Sequence, residues 1–339
     1  PNPVHLYTYP SGYDAKMIVT SIKGCKDSIQ NFINVLPNIN CSLPSAISGL
    51  QLWLIGDSVT LNGDSVSQWK DLSGQNNHAT QSTAAKQPAF IASMSTLNNK
   101  PVLRFDGGDD QLAGTVINTL GDSSFTIFIV SSGATTASES IEGIFSVNDY
   151  TNGFWITRRT YSAEQLMRSY NNGLNTLSSS LNSFPNSGYL PKILGYTKEL
   201  SVESKIFLNG QNNNSSSSPL LCGSFTNTNY SIGNTGFGFL SLKGDIAEII
   251  IYDSVLTNLQ RLEVEQYLRN KYAPPVNLGA DIAMNTLCDT VLDAGARFTN
   301  FLWNTGATTQ TLTVNKTGSY SVTATDVFGS TSSDIINIT

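Results

Sequence analysis

Hydrolysis of a glycosidic bond with retention of configuration needs two carboxyl groups about 5 Å apart, one as acid and one as nucleophile. An E-x-D-x-x-E strand meets that spacing because alternate side chains share a face. No such run occurs in the 339 residues. The nearest acidic spacings are Glu139 with Glu142 in a turn-like segment, Glu199 with Glu203 at a turn before a strand, and Glu263 with Glu265 inside a helix. Only His5 and His78 offer imidazoles for a Ser/His/Asp arrangement, and His78 sits in a polar turn. There is no Walker or Rossmann glycine pattern. Cys25, Cys41, Cys222 and Cys288 are too dispersed for a zinc knuckle or C-x-x-C site, which leaves buried thiols or disulfides. The chain is therefore expected not to be an enzyme.

Binding chemistry is better supplied. Calcium takes several oxygen ligands, commonly from loop carboxylates. Asp106, Asp109 and Asp110 cluster after one β-prone run, and Asp245 and Glu248 flank another, so a structural calcium ion is one expectation for these five. The competing expectation is that Asp106-Gly107-Gly108-Asp109-Asp110 is a tight turn whose carboxylates cap backbone amides. Asp71, Asn76 and Asn77 are read in the same structural way. Sugar recognition combines an aromatic platform with amide, carboxylate or guanidinium partners. Trp155, Arg158, Arg159, Tyr161, Tyr170, Asn171 and Asn172 fall in one strand-turn-strand region and are the candidate carbohydrate contacts. Alternation sets Phe154, Ile156 and Arg158 on one face and Trp155, Thr157 and Arg159 on the other. Trp155 fits either a sugar platform or a core, whereas Trp53 and Trp69 are expected to pack.

The elements that must position these groups are strands. Charged residues make up 13% of the chain against roughly 25% in ordinary globular proteins, and Ser, Thr, Asn and Gly crowd the turns. A net charge of -6 with scattered Lys and Arg excludes a phosphate-binding stripe, so nucleic acid is not an expected partner. No apolar run approaches the roughly 20 residues of a membrane helix, so no membrane insertion is expected. From Leu50 to Tyr272 short β-prone runs such as Phe125-Thr126-Ile127-Phe128-Ile129-Val130 alternate with turns, which predicts an all-β two-sheet sandwich. One helix interrupts them: Thr257 caps it with Gln260 three residues on, Leu259, Leu262, Tyr267 and Leu268 recur on it, and Pro274-Pro275 stop it. Asn209-Gly210 reads as a hairpin turn. After the prolines, a new series of strands with Trp303 as core anchor is long enough for an immunoglobulin-like sandwich. Residues 1–37 read as two strands around a turn. The chain opens at Pro1-Asn2-Pro3 without a charged and then apolar leader, and is expected to be a fragment of a longer precursor.

The central span resembles the bacterial laminin-G-like, concanavalin-A-like jelly rolls. Four stretches carry the resemblance in order: Gly49-Leu50-Gln51-Leu52-Trp53-Leu54; Trp69 to Ala79, similar to W-x-D-x-S-G-x-x-N-H-A; Pro101 to Asp110, similar to P-x-x-R-F-D-G-x-D-D; and Gly244-Asp245-Ile246-Ala247-Glu248 before the capped helix. The C-terminal part is similar to immunoglobulin-like repeats of gliding and polysaccharide-degrading bacteria, through Leu292-Asp293-Ala294-Gly295 and Gly318-Ser319-Tyr320-Ser321-Val322-Thr323. Residues 1–37 resemble the last strands of a PKD-type domain. The implied layout is a partial immunoglobulin-like segment at 1–37, a jelly roll at 46–273 and an immunoglobulin-like module at 276–339. These resemblances imply a secreted or cell-surface protein, further modules of the same polypeptide, and a glycan or cell-surface polysaccharide as partner. They also imply acidic residues near sheet rims and a shell in which Cys41 and Cys222 meet, while Cys288 lacks the partner such repeats often carry. Three readings follow: a non-catalytic carbohydrate-binding or adhesion region, a structural stalk, or the accessory modules of a polysaccharide-degrading enzyme.

Overall fold

Runs that alternate apolar and polar residues bury one face of a strand and wet the other. A computed structural model describes residues 11–20, 26–35, 43–115, 123–133, 141–148, 152–160, 164–171, 174–179, 190–217, 229–235, 240–283 and 289–339. Among the described residues are twenty-three strands, three short 3-10 turns and one α-helix, Asn258–Tyr272. The fold is all-β, as the sequence predicts. All four cysteines lie outside the described residues, and so does the expected Cys41–Cys222 pairing.

The larger body is a sandwich. Its sixteen strands form one hydrogen-bonded sheet folded over into two layers. The first layer runs in the order Leu174–Ser178, Glu164–Asn171, Asn152–Arg159, Ile141–Asn148, Asn229–Ile232, Leu112–Thr115, Ala79–Thr80, Ser65–Asp71. Ala89–Met94 joins it to the second, which runs Lys100–Asp106, Lys243–Tyr252, Phe125–Ser132, Lys192–Glu199, Glu203–Leu208, Gln211–Ser216. Their inner faces share one core that includes Trp69, Phe105, Ile129, Phe145, Ile156 and Tyr196. Phe125 and Phe154 meet edge to face across it with centroids 4.9 Å apart. The strand Leu50–Asn62 serves both layers: Leu50 to Ile55 pair with Tyr252 to Glu248, and Val59 to Asn62 pair with Trp69 to Ser65. Gly56 sits between these two pairings. A Cβ there would stand 2.4 Å from the Pro101 carbonyl oxygen, so the crossing demands glycine.

Lys243–Tyr252 is buried on both faces, which explains its unbroken run Ile249-Ile250-Ile251. Ile249 and Ile251 belong to the sandwich core, while Ile250 and Tyr252 pack with Val264, Leu268 and Tyr272 of the helix. The helix begins with the expected capping box: Gln260 N–H donates to Thr257 Oγ1 at 3.3 Å, and Thr257 N–H donates to Gln260 Oε1 at 3.0 Å. Its buried stripe is Val264, Leu268 and Tyr272, four residues apart, rather than the stripe through Leu259, which is 50% exposed.

One carboxylate ties these layers together. Glu248, fully buried on the central strand, accepts from Trp53 Nε1 at 2.8 Å, from Lys271 Nζ at 2.7 Å and from the Tyr272 hydroxyl at 2.8 Å. Two donors come from the helix and one from the neighbouring strand.

Beyond Pro274-Pro275, Thr290–Asp293 pairs with Thr311–Val314, and Asn300–Trp303, Gly318–Thr325 and Thr331–Ile338 form a second small sheet. Leu292, Val314, Val322, Ile336 and Ile338 close around Trp303, which is 1% exposed and donates from Nε1 to the Thr309 carbonyl at 2.8 Å. At the other end, Ser11–Thr20 and Lys26–Val35 form the antiparallel pair expected there.

Removing one partner of a buried ion pair strands the other charge and costs roughly 3–5 kcal/mol, whereas replacing both by apolar residues is often neutral. Glu248→Ala is therefore expected to lower unfolding free energy in urea by roughly that amount, and Glu248→Leu with Lys271→Met to recover much of it. Equal losses for the single and double variants would show that the pair is not the contact that matters.

Candidate functional site

The Trp69 to Ala79 motif is a structural clamp. Asp71 accepts four bonds: from Trp53 N at 2.9 Å, Ser73 N at 2.9 Å, Ser73 Oγ at 2.7 Å and Asn77 N at 2.9 Å. His78 Nδ1 accepts the Asp71 N–H at 3.0 Å, and Asn77 Nδ2 donates to the Gln51 carbonyl at 2.9 Å. The loop is thereby sewn to the first strand of the sandwich, in agreement with the turn reading.

The five carboxylates expected around calcium do not converge. Asp245, 1% exposed, receives Arg104 Nε at 2.7 Å, Arg104 Nη2 at 3.1 Å and Ser132 Oγ at 3.1 Å. Glu248 is engaged with Trp53, Lys271 and Tyr272. In the turn, Gly107 adopts φ 85°, Asp106 Oδ1 accepts from Gly108 N–H at 2.7 Å, and Asp110 Oδ2 accepts from Asp106 N–H at 3.0 Å. Asp109 lies 3.8 Å from Lys86 Nζ. Among the described residues, no group of three or more His, Cys, Asp or Glu is arranged to hold a metal ion. Each carboxylate has a cation or backbone amide of the protein's own. Burial pushes the Asp110 carboxyl up to about 6; its bond from the Asp106 amide opposes this, and the charges of Asp106 and Asp109 add to it.

The candidate sugar contacts divide between two faces. Arg158 is on the core side with Phe154 and Ile156; it is 1% exposed, ion-paired with buried Glu142, and donates to the Lys243 carbonyl at 3.1 Å. It is therefore not a surface contact. The burial of Glu142 itself raises its pKa by desolvation, with the Arg158 guanidinium pulling the other way. Arg159, partly exposed, pairs with Glu164 at 2.7 Å. Trp155 lies on the outer face but is only 4% exposed. Tyr170 and Asn171 end the strand opposite Gly153 and Asn152. Tyr161 and Asn172 lie outside the described residues.

The sheet register extends the Trp155 position into a row. Trp155 faces Ser146 and Arg168 across its two neighbouring strands, and Arg168 faces Thr176. In the other direction Ser146 leads to Ser231, Ala113, Thr80, Gln68 and Thr60 in successive strands. Every member alternates with a core residue, among them Ile156, Phe145, Ile232, Leu112 and Trp69. The row thus crosses the whole outer face. Toward the Thr60 end, Thr60, Thr80 and Ala113 are exposed and Gln68 half-buried; Ser146, Trp155 and Ser231 in the middle are buried, and Arg168 is the row's one ionisable group. Gln68 and Thr80 escape the sequence pattern because the register shifts between Thr60 and Leu61, where Ser67 is the extra residue, so Val66 and Trp69 both point inward.

No protein-family model matches the chain, and no curated protein matches it. Solved structures do. The binding domain of Paraclostridial Mosquitocidal Protein 1 is 16% identical with a TM-score of 0.51; the match covers 84% of this chain and 65% of that one. The binding domain of botulinum neurotoxin DC, solved in complex with rat synaptotagmin II, is 12% identical with a TM-score of 0.51, covering 82% of this chain and 71% of that one. This chain thus spans about two thirds of their length, and at such identity the likeness is one of fold. No helix among the described residues is long and apolar enough to cross a membrane.

Two outcomes follow. Asp110 has a folded pKa above its unfolded value, so its stabilising proton is fully bound below pH about 4 and lost as pH rises through about 6. Stability measured from pH 7 down to 4 should therefore gain a contribution that Asp110→Asn abolishes; an identical pH profile in the variant would exclude the assignment. Thermal unfolding in millimolar calcium and in excess EDTA should superimpose, and a calcium-dependent rise removed by Asp106→Asn would restore the turn as an ion site.

Proposed function

We propose that the chain is a non-catalytic carbohydrate-binding or adhesion region whose contact surface is the outer face of the Asn152–Arg159 sheet. The observation that carries this reading is the register-aligned row of hydroxyl and amide side chains through Thr60, Gln68 and Thr80. A glycan presents hydroxyls at regular intervals and little charge, and a neutral polar row matches it with donors and acceptors. The bonds these groups make meanwhile, Thr60 Oγ1 to Gln68 Oε1 and Thr80 Oγ1 to the Ala113 carbonyl, are long ones at 3.4 Å. The buried Trp155 supports the floor of this face rather than stacking on a sugar. The jelly-roll resemblance supports a secreted or cell-surface bacterial setting, with modules at 1–37, 46–273 and 276–339 and others of the same polypeptide. The alternative of a stalk that binds nothing is favoured by the many polar side chains already spent on structural bonds, Asp71 foremost.

An array of neutral and acidic oligosaccharides separates the two. Binding is expected without calcium, and Gln68→Ala should weaken it about five- to tenfold, the worth of roughly one hydrogen bond. Thr80→Lys should abolish it by projecting a charge across the face. Both positions lie outside the core, so melting temperatures should stay unchanged. No bound glycan from a folded sample would leave the stalk reading standing.

A further inference from the structure

A cleft of about 570 Å³ opens where the helix and the Asn209-Gly210 turn meet the C-terminal strands. Junctions of this kind are preferred places for ligand sites, and the volume falls within the roughly 300–1,000 Å³ that holds small ligands.

The walls are fixed before any ligand arrives. Asn209 and Gly210 adopt φ 50° and 85°, the left-handed turn that the sequence predicts. Asn209 Oδ1 accepts from Ile193 N–H at 2.9 Å, and its Nδ2 donates across the junction to the Phe328 carbonyl at 2.8 Å. Arg269 donates to the Asn209 carbonyl and to Ser330 Oγ, and stands 3.9 Å from Asp326. Asp326 Oδ1 in turn accepts the N–H groups of Phe328 at 2.8 Å and Ser330 at 2.9 Å, while Val327 and Phe328 bury their side chains with those of the helix. Arg297 clamps the connecting Pro274 and Pro275 carbonyls. Binding into such a cleft forfeits little freedom of the protein.

The lining defines the ligand. Its ionisable groups are Glu265, Arg269 and Asp326; Asp326 stands 3.9 Å from Arg269, and Glu265 is paired with Arg261, which is not itself a lining residue. An ionic ligand therefore meets no unpaired charge in the lining. Among the described residues, Gln211 and Thr331 have no side-chain hydrogen-bond partner, and Gln266 donates one amide proton, to Asn270 at 2.7 Å. Leu262, Ala273 and Pro275 add a small apolar patch, and the lining includes no aromatic ring. Amide and hydroxyl groups around a modest apolar patch suit a compact polyol with C–H faces, not a planar or charged molecule.

We propose that this junction cleft binds an uncharged oligosaccharide of two or three rings, independently of the outer-face row. Both parts of the chain contribute, so the site exists only where they are docked.

The test is an amide NMR titration of the full chain with neutral gluco-, galacto- and manno-oligosaccharides of two or three rings at millimolar concentration. Shifts are expected in the side-chain amides of Gln211 and Gln266 and the backbone of Thr331. Thr331→Arg, an exposed substitution, should weaken that response at least tenfold at unchanged melting temperature, and Gln266→Ala should weaken it while keeping the fold. Gln68→Ala with Thr80→Lys should leave it intact, so failure of the outer-face reading is read separately. The proposal is overturned if no probe moves these resonances, if the response survives Thr331→Arg, or if only charged sugars or peptides produce it.

Discussion

A buried carboxylate in the middle of an apolar strand is costly unless every lone pair finds a donor, and Glu248 is where this structure meets that demand. It sits on Lys243–Tyr252, the strand that has sandwich core on one face and helix on the other. Its donors, Trp53, Lys271 and Tyr272, come from the neighbouring strand and the end of the helix. The helix thus cannot slide along the sheet without leaving a charge unpaired. Everything farther out depends on that register, because the helix end leads directly into Pro274-Pro275 and the Arg269 contacts that hold the C-terminal strands.

The same logic recurs at smaller scale. Asp245 with Arg104, Asp71 with its four donors, and Glu142 with Arg158 each place an acid where hydrophobic packing alone would allow neighbouring strands several alignments. Apolar contacts are tolerant of a shift, while an unpaired buried charge is not. Such pairs add little net stability but penalise the wrong pairing. In a sandwich with long-range strand pairing this matters: Arg104 and Asp245 are 141 positions apart in sequence.

What was legible in the sequence follows from range. The all-β class, the capped helix, the Asn209-Gly210 turn and the packing of Trp69 and Trp303 rest on local alternation and turn chemistry, which the chain prints residue by residue. The helix stripe was misread at Leu259 because the end of a helix extends past the element it covers, so an apolar side chain there meets water. The partners of Asp245 and Glu248, Arg104 and Lys271, are remote or on another element, so the sequence does not show them beside these acids. Arg158 looked like a surface donor since nothing near it in sequence reveals Glu142 beside it. Gln68 and Thr80 drew no notice: one extra residue at Ser67 hides the alternation, and their row exists only when six or more strands are aligned.

A face of this kind acquires its side-chain neighbours through register. Core residues on one side of each strand hold the register, and the register alone decides which outer side chains become neighbours. A binding row built this way needs no distinctive motif, only short polar residues at outward positions of strands whose inward positions are already committed. Changing the ligand then requires substitutions on the wet side, which leave the packed side untouched and cost little stability. The junction cleft obeys the opposite rule. Its walls are the latch itself, Asn209, Arg269 and Asp326, so its shape cannot change without loosening the contact between the two parts of the chain. One surface is free to vary while the other is fixed by the architecture, and that difference arises from where each set of side chains finds its hydrogen bonds.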